Sequence, residues 1–455
     1  MLTEPIRGRI AYLQASIPLL TGSAGIVLAS QGASILLRLV STIIFTRLLA
    51  PEAFGEILVV STITGLITLC SEIGLRGSII NNDRGMADPK YVNTAWTLRI
   101  AQYLLVAMAL LVASFFVHRL YPAIANIDNY LRICALTALL TGFTSTKVFQ
   151  QEKLVRPAGP AAIVLVERLF ALLVAILLCY FWPNAGSVLW ANAIAMCLTV
   201  LLTHQVLPGI SNRICLERSA IKTILDYGKW MLPATIVTWA IRDGYKLALS
   251  FFLLPTALGF FAIASNIGLV LAMVLREFSE KWLFPVYCRN KGNHDSELQS
   301  ARIRAAILAV SIVVITGLVY CSEILVEILY TPEFKTVADF LSVIALGSGG
   351  LIVTALYLPV LKGNADSRRV FLVRLIQFGT LAAGMLLAFR YGDSAHVVGA
   401  TAAAQLLAGI LTILVAMPYF TRKVLLIDGL LFTTPLATLL PGYIGQLSLS
   451  LAASG

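Results

Sequence analysis

The stretch WAIRDGYKLALSF, Trp239 to Phe251, holds an arginine, an aspartate and a lysine inside an otherwise apolar run. Arg242 lies about twelve residues from either end of the apolar span 230–254, roughly 18 Å along a helix axis, which is mid-depth in any membrane the span crosses. A charge there costs about 2.5–3.5 kcal/mol on insertion scales, so such a group faces a bundle interior or a wet cavity. Arg242 and Lys246 are spaced i, i+4 and share a helix face, and Asp243 is i, i+3 from Lys246. One carboxylate cannot neutralise two cations, so the patch keeps about one positive charge. Two readings are open: a salt bridge that holds helices together, or a cationic wall that receives an anion. Arginine suits phosphate because its planar fork donates two parallel charge-assisted hydrogen bonds. Asp243 is the candidate ion-coupling group.

The elements that must position these charges are membrane helices. Of 455 residues, 58% are hydrophobic and 13% charged, and the mean hydropathy is +0.87, against about half and a quarter in soluble domains. Apolar runs long enough to cross a bilayer are expected at 19–47, 53–75, 91–117, 130–150, 158–182, 187–208, 230–254, 257–284, 303–329, 337–361, 370–390 and 395–420. The tail after 422 is hydrophobic but broken by Pro435, Pro441 and Gly442. No cleavable signal is evident, because the first apolar segment runs on to Leu49 and is too long for one. The seven cysteines show no paired spacing and read as small core residues.

Lys and Arg alternate between connections. The N-terminus and every second loop hold twenty-two of them, while the other loops hold only Arg47, Arg119, Lys335 and Arg390. This bias places the N-terminus and the basic loops in the cytoplasm. It also accounts for the net charge of +11 without a nucleic-acid partner. Loops are too short for a soluble catalytic domain, and neither a Walker loop nor a Rossmann fingerprint is present. No cofactor and no metal are implied, and His118, His204, His294 and His396 show no ligand spacing.

Six spans return a chain to its starting side, so two six-span lobes, 1–215 and 216–421, are expected, followed by the tail 422–455. A shift of 204 residues aligns LLAPEAFGEILVVSTI (48–63) with FLLPTALGFFAIASNI (252–267). Pro51, Ala53 and Gly55 then fall on Pro255, Ala257 and Gly259, and Arg38 falls on Arg242. At the same shift Glu72 falls on Arg276 and Arg76 on Glu280, which exchanges the signs of an i, i+4 pair. Arg276, Glu277, Glu280 and Lys281 lie near the cytoplasmic end of their span. Either they pair within the helix, or they meet Glu72 and Arg76 as an inner gate. Arg38, Arg242 and Lys246 are the expected anion-binding set. Glu167, Arg168 and Arg99 read as structural or snorkelling. Ser30, Gln31, Ser34, Ser41 and Thr42 of the first span either line a polar route or make close helix contacts.

The segment RLVSTIIFTRLLAPEAFGEILVVSTITGLITLCSEIGLRGSII (38–80) resembles the N-terminal signature of the polysaccharide-transporter, or Wzx-type, flippases of the multidrug/oligosaccharidyl-lipid/polysaccharide (MOP) exporter superfamily. Its first span ends in Arg-Leu-Leu-x-Pro-x-x-Phe-Gly, and RDGYKLALSFFLLPTALGFFAIASNI (242–267) is similar to the second-half signature. The resemblance covers about 1–420. It implies an all-α polytopic membrane protein with two six-helix lobes, pseudo-twofold related around a central cationic cavity, and about 12–14 spans. It further implies alternating access and no enzymatic step. The implied cargo is an undecaprenyl-diphosphate-linked oligosaccharide, carried across the bacterial cytoplasmic (inner) membrane for surface or exopolysaccharide assembly. Membrane lipids, a coupling ion and a polysaccharide polymerase complex are the implied partners. Other readings stay open. A drug or metabolite antiporter of the same architecture needs an acidic cavity, a membrane-embedded polymerase needs a large outer loop, and DRG (83–85) faintly echoes a symporter loop motif.

Overall fold

A computed structural model describes residues 23–71, 73–154, 156–283, 294–364, 366–391 and 394–419, with Tyr287, Leu439 and 442–444. No strand occurs among the described residues, and a helix stands at each of the twelve expected spans. Among the described residues, eight helices are long and apolar enough to cross a membrane, or nine if one bent pair counts as a single span.

The chain packs as two compact units: residues up to Leu49 with Ile63–Ile236, and Ala50–Thr62 with the chain from Val237. The first unit holds α1 (Ser23–Phe45), the last part of α2 (Pro51–Cys70) from Ile63 on, α3 (Leu75–Asn81), α4 (Arg84–Ala87), α5 (Pro89–Leu120), α6 (Ile127–Gly142), α7 (Lys147–Lys153), α8 (Ala158–Phe181), α9 (Ala185–Gln205) and most of α10 (Arg218–Trp239). In it α5 packs on α6, α6 and α8 on α9, and α1 on α8. Side chains such as Leu105, Phe115, Leu173 and Phe181 remain exposed around this unit, which suits a surface solvated by lipid, where only closed hydrogen-bonded elements persist.

The second unit continues α10 through a π-helix (Ala240–Gly244) into α11 (Tyr245–Leu249), then α12 (Pro255–Gly268), α13 (Val270–Phe278), a second π-helix (Ser279–Leu283), α14 (His294–Tyr320), α15 (Ser322–Leu329), α16 (Val337–Gly363), α17 (Ser367–Tyr391) and α18 (Ser394–Ala416). Its core is α16, whose apolar window is 89% buried. A helix apolar all round is one surrounded by protein, and α12, α13, α14 and α18 all pack against it.

Several expected spans differ in detail. The fourth stops at Gly142, and a turn at Phe143–Thr146 precedes α7. The eighth bends by 42° between α12 and α13. The ninth ends at Tyr320, and α14 begins at His294, so Arg304 lies inside a helix rather than at a loop's edge. Gly74 takes φ 71°, a left-handed conformation natural to glycine; it separates α2 from α3 and makes Arg76 a first-turn residue of a new helix.

The internal repeat has a physical counterpart within the second unit. A Cβ on Gly55 of α2 would lie 1.9 Å from the Pro255 carbonyl oxygen, and one on Gly259 of α12 would lie 1.9 Å from that of Pro51. The two helices cross backbone to backbone, as small residues allow in membranes, and equivalent residues meet equivalent residues. Thr256 Oγ1 donates to Glu52 Oε1 at 2.8 Å, another pair 204 positions apart.

After a turn at 206–209, residues 210–217 form a non-helical strap in the first unit. The amides of Arg213, Cys215 and Glu217 donate to Asn93 Oδ1 (3.0 Å), Thr97 Oγ1 (3.0 Å) and Thr94 Oγ1 (3.1 Å) of α5. Alternate amides of an extended chain point one way, and here α5 side chains replace a neighbouring strand. Arg84 locks the strap's end, reaching Glu217 at 2.8 Å and Asp88 at 2.7 Å. The Arg84 guanidinium holds the Asp88 carboxyl below the usual range. The Ser219 hydroxyl and then Arg84 do the same for Glu217.

Candidate functional site

The π-helix Ala240–Gly244 carries Arg242 and Asp243, and Lys246 follows in the first turn of α11. A π-turn inserts a residue into the helical register and often marks a functional position. On it one carboxylate holds both cations. Arg242 Nε donates to Asp243 Oδ2 at 2.7 Å and Lys246 Nζ to Asp243 Oδ1 at 2.6 Å. The Arg242 side chain is nevertheless 60% exposed, whereas Asp243 and Lys246 are 23% exposed. The patch therefore keeps a net positive charge with its guanidinium outward, in a segment flanked by buried Ile241, Tyr245 and Leu249.

In the first unit, Arg38 lies half-buried on α1 and feels the charge of Arg168 on α8. Arg168 Nη1 donates to the Ser34 carbonyl at 3.2 Å, one turn before Arg38. Glu167, beside Arg168, is hydrogen-bonded to Thr199 of α9. The structure thus brings Arg168 to Arg38, a pairing that needs the α1–α8 contact and has no local signal. Ser41 and Thr42 donate to carbonyls of their own helix, those of Leu37 and Arg38.

The expected gate residues fall as follows. Glu72 lies outside the described residues, and so does the side chain of Lys281, whose backbone belongs to the second π-helix. Arg76 pairs with Glu152 of α7 at 2.7 Å, and Glu280 pairs with Lys362 of α16 at 2.5 Å. Arg276 is exposed and Glu277 half-buried. The π-turn after α13 breaks the i, i+4 register between Arg276 and Glu280, so Glu280 turns to α16. Arg374 of α17 lies within electrostatic reach of both Glu280 and Arg276. Arg304, fully buried on α14, places its guanidinium 4.7 Å from the ring centroid of Tyr357. Glu280 thus stands among cations of α13, α16 and α17, while Arg304 of α14 packs on Tyr357 of α16. The sequence singles out only Arg276 among them, because Lys362, Arg374 and Arg304 read as ordinary loop-end charges.

Helices long and apolar enough to cross a membrane, carrying buried and outward cations and with no soluble domain among the described residues, define a multi-pass membrane protein. The family model described as polysaccharide biosynthesis protein matches residues 44–339, and the chain belongs to that family. No curated protein matches the chain. Among solved structures, the chain is similar to the lipid II flippase MurJ in an inward closed conformation, with a TM-score of 0.65 at 13% identity over 94% of this chain and 98% of that one. It is similar also to an inward-facing multidrug resistance MATE family transporter of the MOP superfamily, with a TM-score of 0.64 at 14% identity over 90% and 98%. A MOP superfamily transporter from Pyrococcus furiosus gives a TM-score of 0.50 at 14% identity over 91% and 98%. At such identities the likeness shows the fold. The family is that of polysaccharide biosynthesis proteins and the fold is that of these MOP superfamily structures, the family and fold that the motifs at 38–80 and 242–267 implied.

Proposed function

We propose that the chain flips an undecaprenyl-diphosphate-linked oligosaccharide across the bacterial cytoplasmic membrane for surface or exopolysaccharide synthesis, with its N-terminus in the cytoplasm. The observation that carries this reading is Arg242, outward-facing at mid-span and sharing its one carboxylate with Lys246. A diphosphate is the anion that a guanidinium beside an ammonium fits, and the polyprenyl tail needs no protein enclosure. Arg242, Lys246 and Arg38 hold the diphosphate, while Asp243 competes with it for the cations and serves as the ion-coupling group. Alternating access requires one contact that opens on each side. The glycine crossing of α2 and α12 is assigned to the extracytoplasmic side, and Glu72, Arg76, Arg276, Glu277, Glu280 and Lys281 to the cytoplasmic gate. Arg242→Ala is expected to abolish polymer export at unchanged membrane abundance, with lipid-linked sugar accumulating inside, and Arg242→Lys to retain part of it. Full export by Arg242→Ala refutes the assignment. At the cytoplasmic gate, Glu72→Lys should impair export and an added Arg276→Glu should restore part of it. A drug antiporter shares this fold, and cation efflux by the wild-type chain in a drug-sensitive host would favour it.

A further inference from the structure

At the end of the first unit remote from the strap, the start of α6, the end of α8 and the start of α9 enclose a cavity of about 580 Å³. Its wall includes Asn126, Asn129, Tyr130, Trp182, Asn184 and Trp190, and no acidic or basic side chain lines it. Asp128 and Arg132, on the same helix as Asn129 and Tyr130, pair with each other at 3.5 Å. The volume is that of an ordinary small-molecule site.

Local structure fixes how the amides are presented. Asn184 caps α9, its Oδ1 accepting the Ser187 amide at 3.2 Å, which leaves Nδ2 as a donor. The Ser187 hydroxyl and the Asn184 amide both donate to the Trp182 carbonyl, the latter at 2.8 Å, and hold the corner that carries Trp182. Asn129 Oδ1 accepts from Arg132 at 3.1 Å, so its NH2 also remains a donor. Asn126 precedes α6 without using its side chain as a cap. Trp182 and Trp190 expose 62% and 46% of their surface.

Aromatic residues at a membrane interface are common anchors, and Tyr180 and Phe181, beside Trp182, are exposed in that manner. Anchoring needs neither a concavity nor three carboxamides gathered around two indoles. That set fits a pyranose ring. The apolar C–H face of the sugar lies on an indole, and its rim of hydroxyls, each both donor and acceptor, meets amides that also do both. A phosphate or an anionic headgroup finds no cation there.

We propose that this cavity binds an uncharged saccharide and is chemically separate from the cationic residues assigned to the diphosphate. Its position on the extracytoplasmic face rests on the topology in the functional reading above, whereas its ligand chemistry does not. There it holds neutral rings of a glycan as they reach the outer side. Binding of cellotetraose and tetra-N-acetylchitotetraose to the full chain in lipid nanodiscs, followed by saturation-transfer NMR and tryptophan emission, tests the site. Saturable binding at about 1 mM or below is expected, weakened about tenfold or more by Trp190→Leu and by Asn184→Ser. Serine retains a capping oxygen, so the second variant keeps the fold and loses only the amide donor. Arg242→Ala should bind both sugars as the wild type does, which separates failure of this site from failure of the transport reading. The proposal is overturned if neither sugar binds saturably below about 10 mM. It is likewise overturned if the two cavity variants bind as well as the wild type, or if the emission follows the anionic-lipid content of the disc rather than the sugar.

Discussion

The two repeated segments, 38–63 and 242–267, agree at some positions and part at others. Arg38 and Arg242 are equivalent, but Leu39 and Thr42 stand where the second segment has Asp243 and Lys246. The first arginine is half-buried and shares its surroundings with Arg168 and the Ser34 carbonyl of its own unit. The second is outward and held through a single bridging carboxylate on a π-turn. Where the segments coincide, at Pro51/Pro255 and Gly55/Gly259, the shared feature is a backbone crossing that tolerates no side chain. Equivalence thus marks the mechanical contact, and divergence marks the chemistry.

The largest effect should come from fixing the symmetric contact. A Glu52→Cys/Thr256→Cys pair joined by a short thiol crosslinker is expected to stop export, and reductive cleavage of a disulfide-containing linker should restore it. Export that persists after complete crosslinking would mean that the crossing never opens. Next, making the second segment like the first, by Asp243→Leu with Lys246→Thr, leaves the local charge at one positive. Export should still fall about tenfold or more, a barrier increase of about 1.4 kcal/mol, because the competing carboxylate and the second donor are gone. Unchanged export would show that net charge alone matters. Third, Arg168→Gln should act mainly on stability. Losing a hydrogen bond to the buried Ser34 carbonyl costs about 1–3 kcal/mol, read as a lower Tm of the solubilised protein, with export reduced less than by Arg242→Ala. Fourth, Gly55→Ala and Gly259→Ala should destabilise by similar amounts, about 1–3 kcal/mol each. Clearly unequal shifts in Tm would break the equivalence.

Helix positions were legible in the sequence because membrane spans need long apolar runs, and the repeat was legible because prolines and glycines sit in register. Arg242, Asp243 and Lys246 stood out because charge is rare in such runs. Other features were not readable. A π-turn leaves no mark in hydropathy, so the bridging geometry of Asp243 and the turning of Glu280 toward Lys362 appear only in the fold. Arg168 acquires meaning through a contact between α1 and α8 that joins residues 134 positions apart. Arg304 looked like a loop-end charge until α14 extended past it and Tyr357 covered it. Asn126, Asn129 and Asn184 are uncharged, lie near helix ends and come together only when α6 and α9 pack.

The mutual fit of Gly55 and Gly259 also bears on how such a gene can change after duplication. The room available to each glycine is set by the backbone beside the other, so neither copy of the segment can accept a bulkier residue, whatever its twin carries. Two halves that are free to drift at Leu39 and Asp243 are bound to a common inheritance at this one point. Ancestry should therefore stay visible there after most other traces of it have been erased.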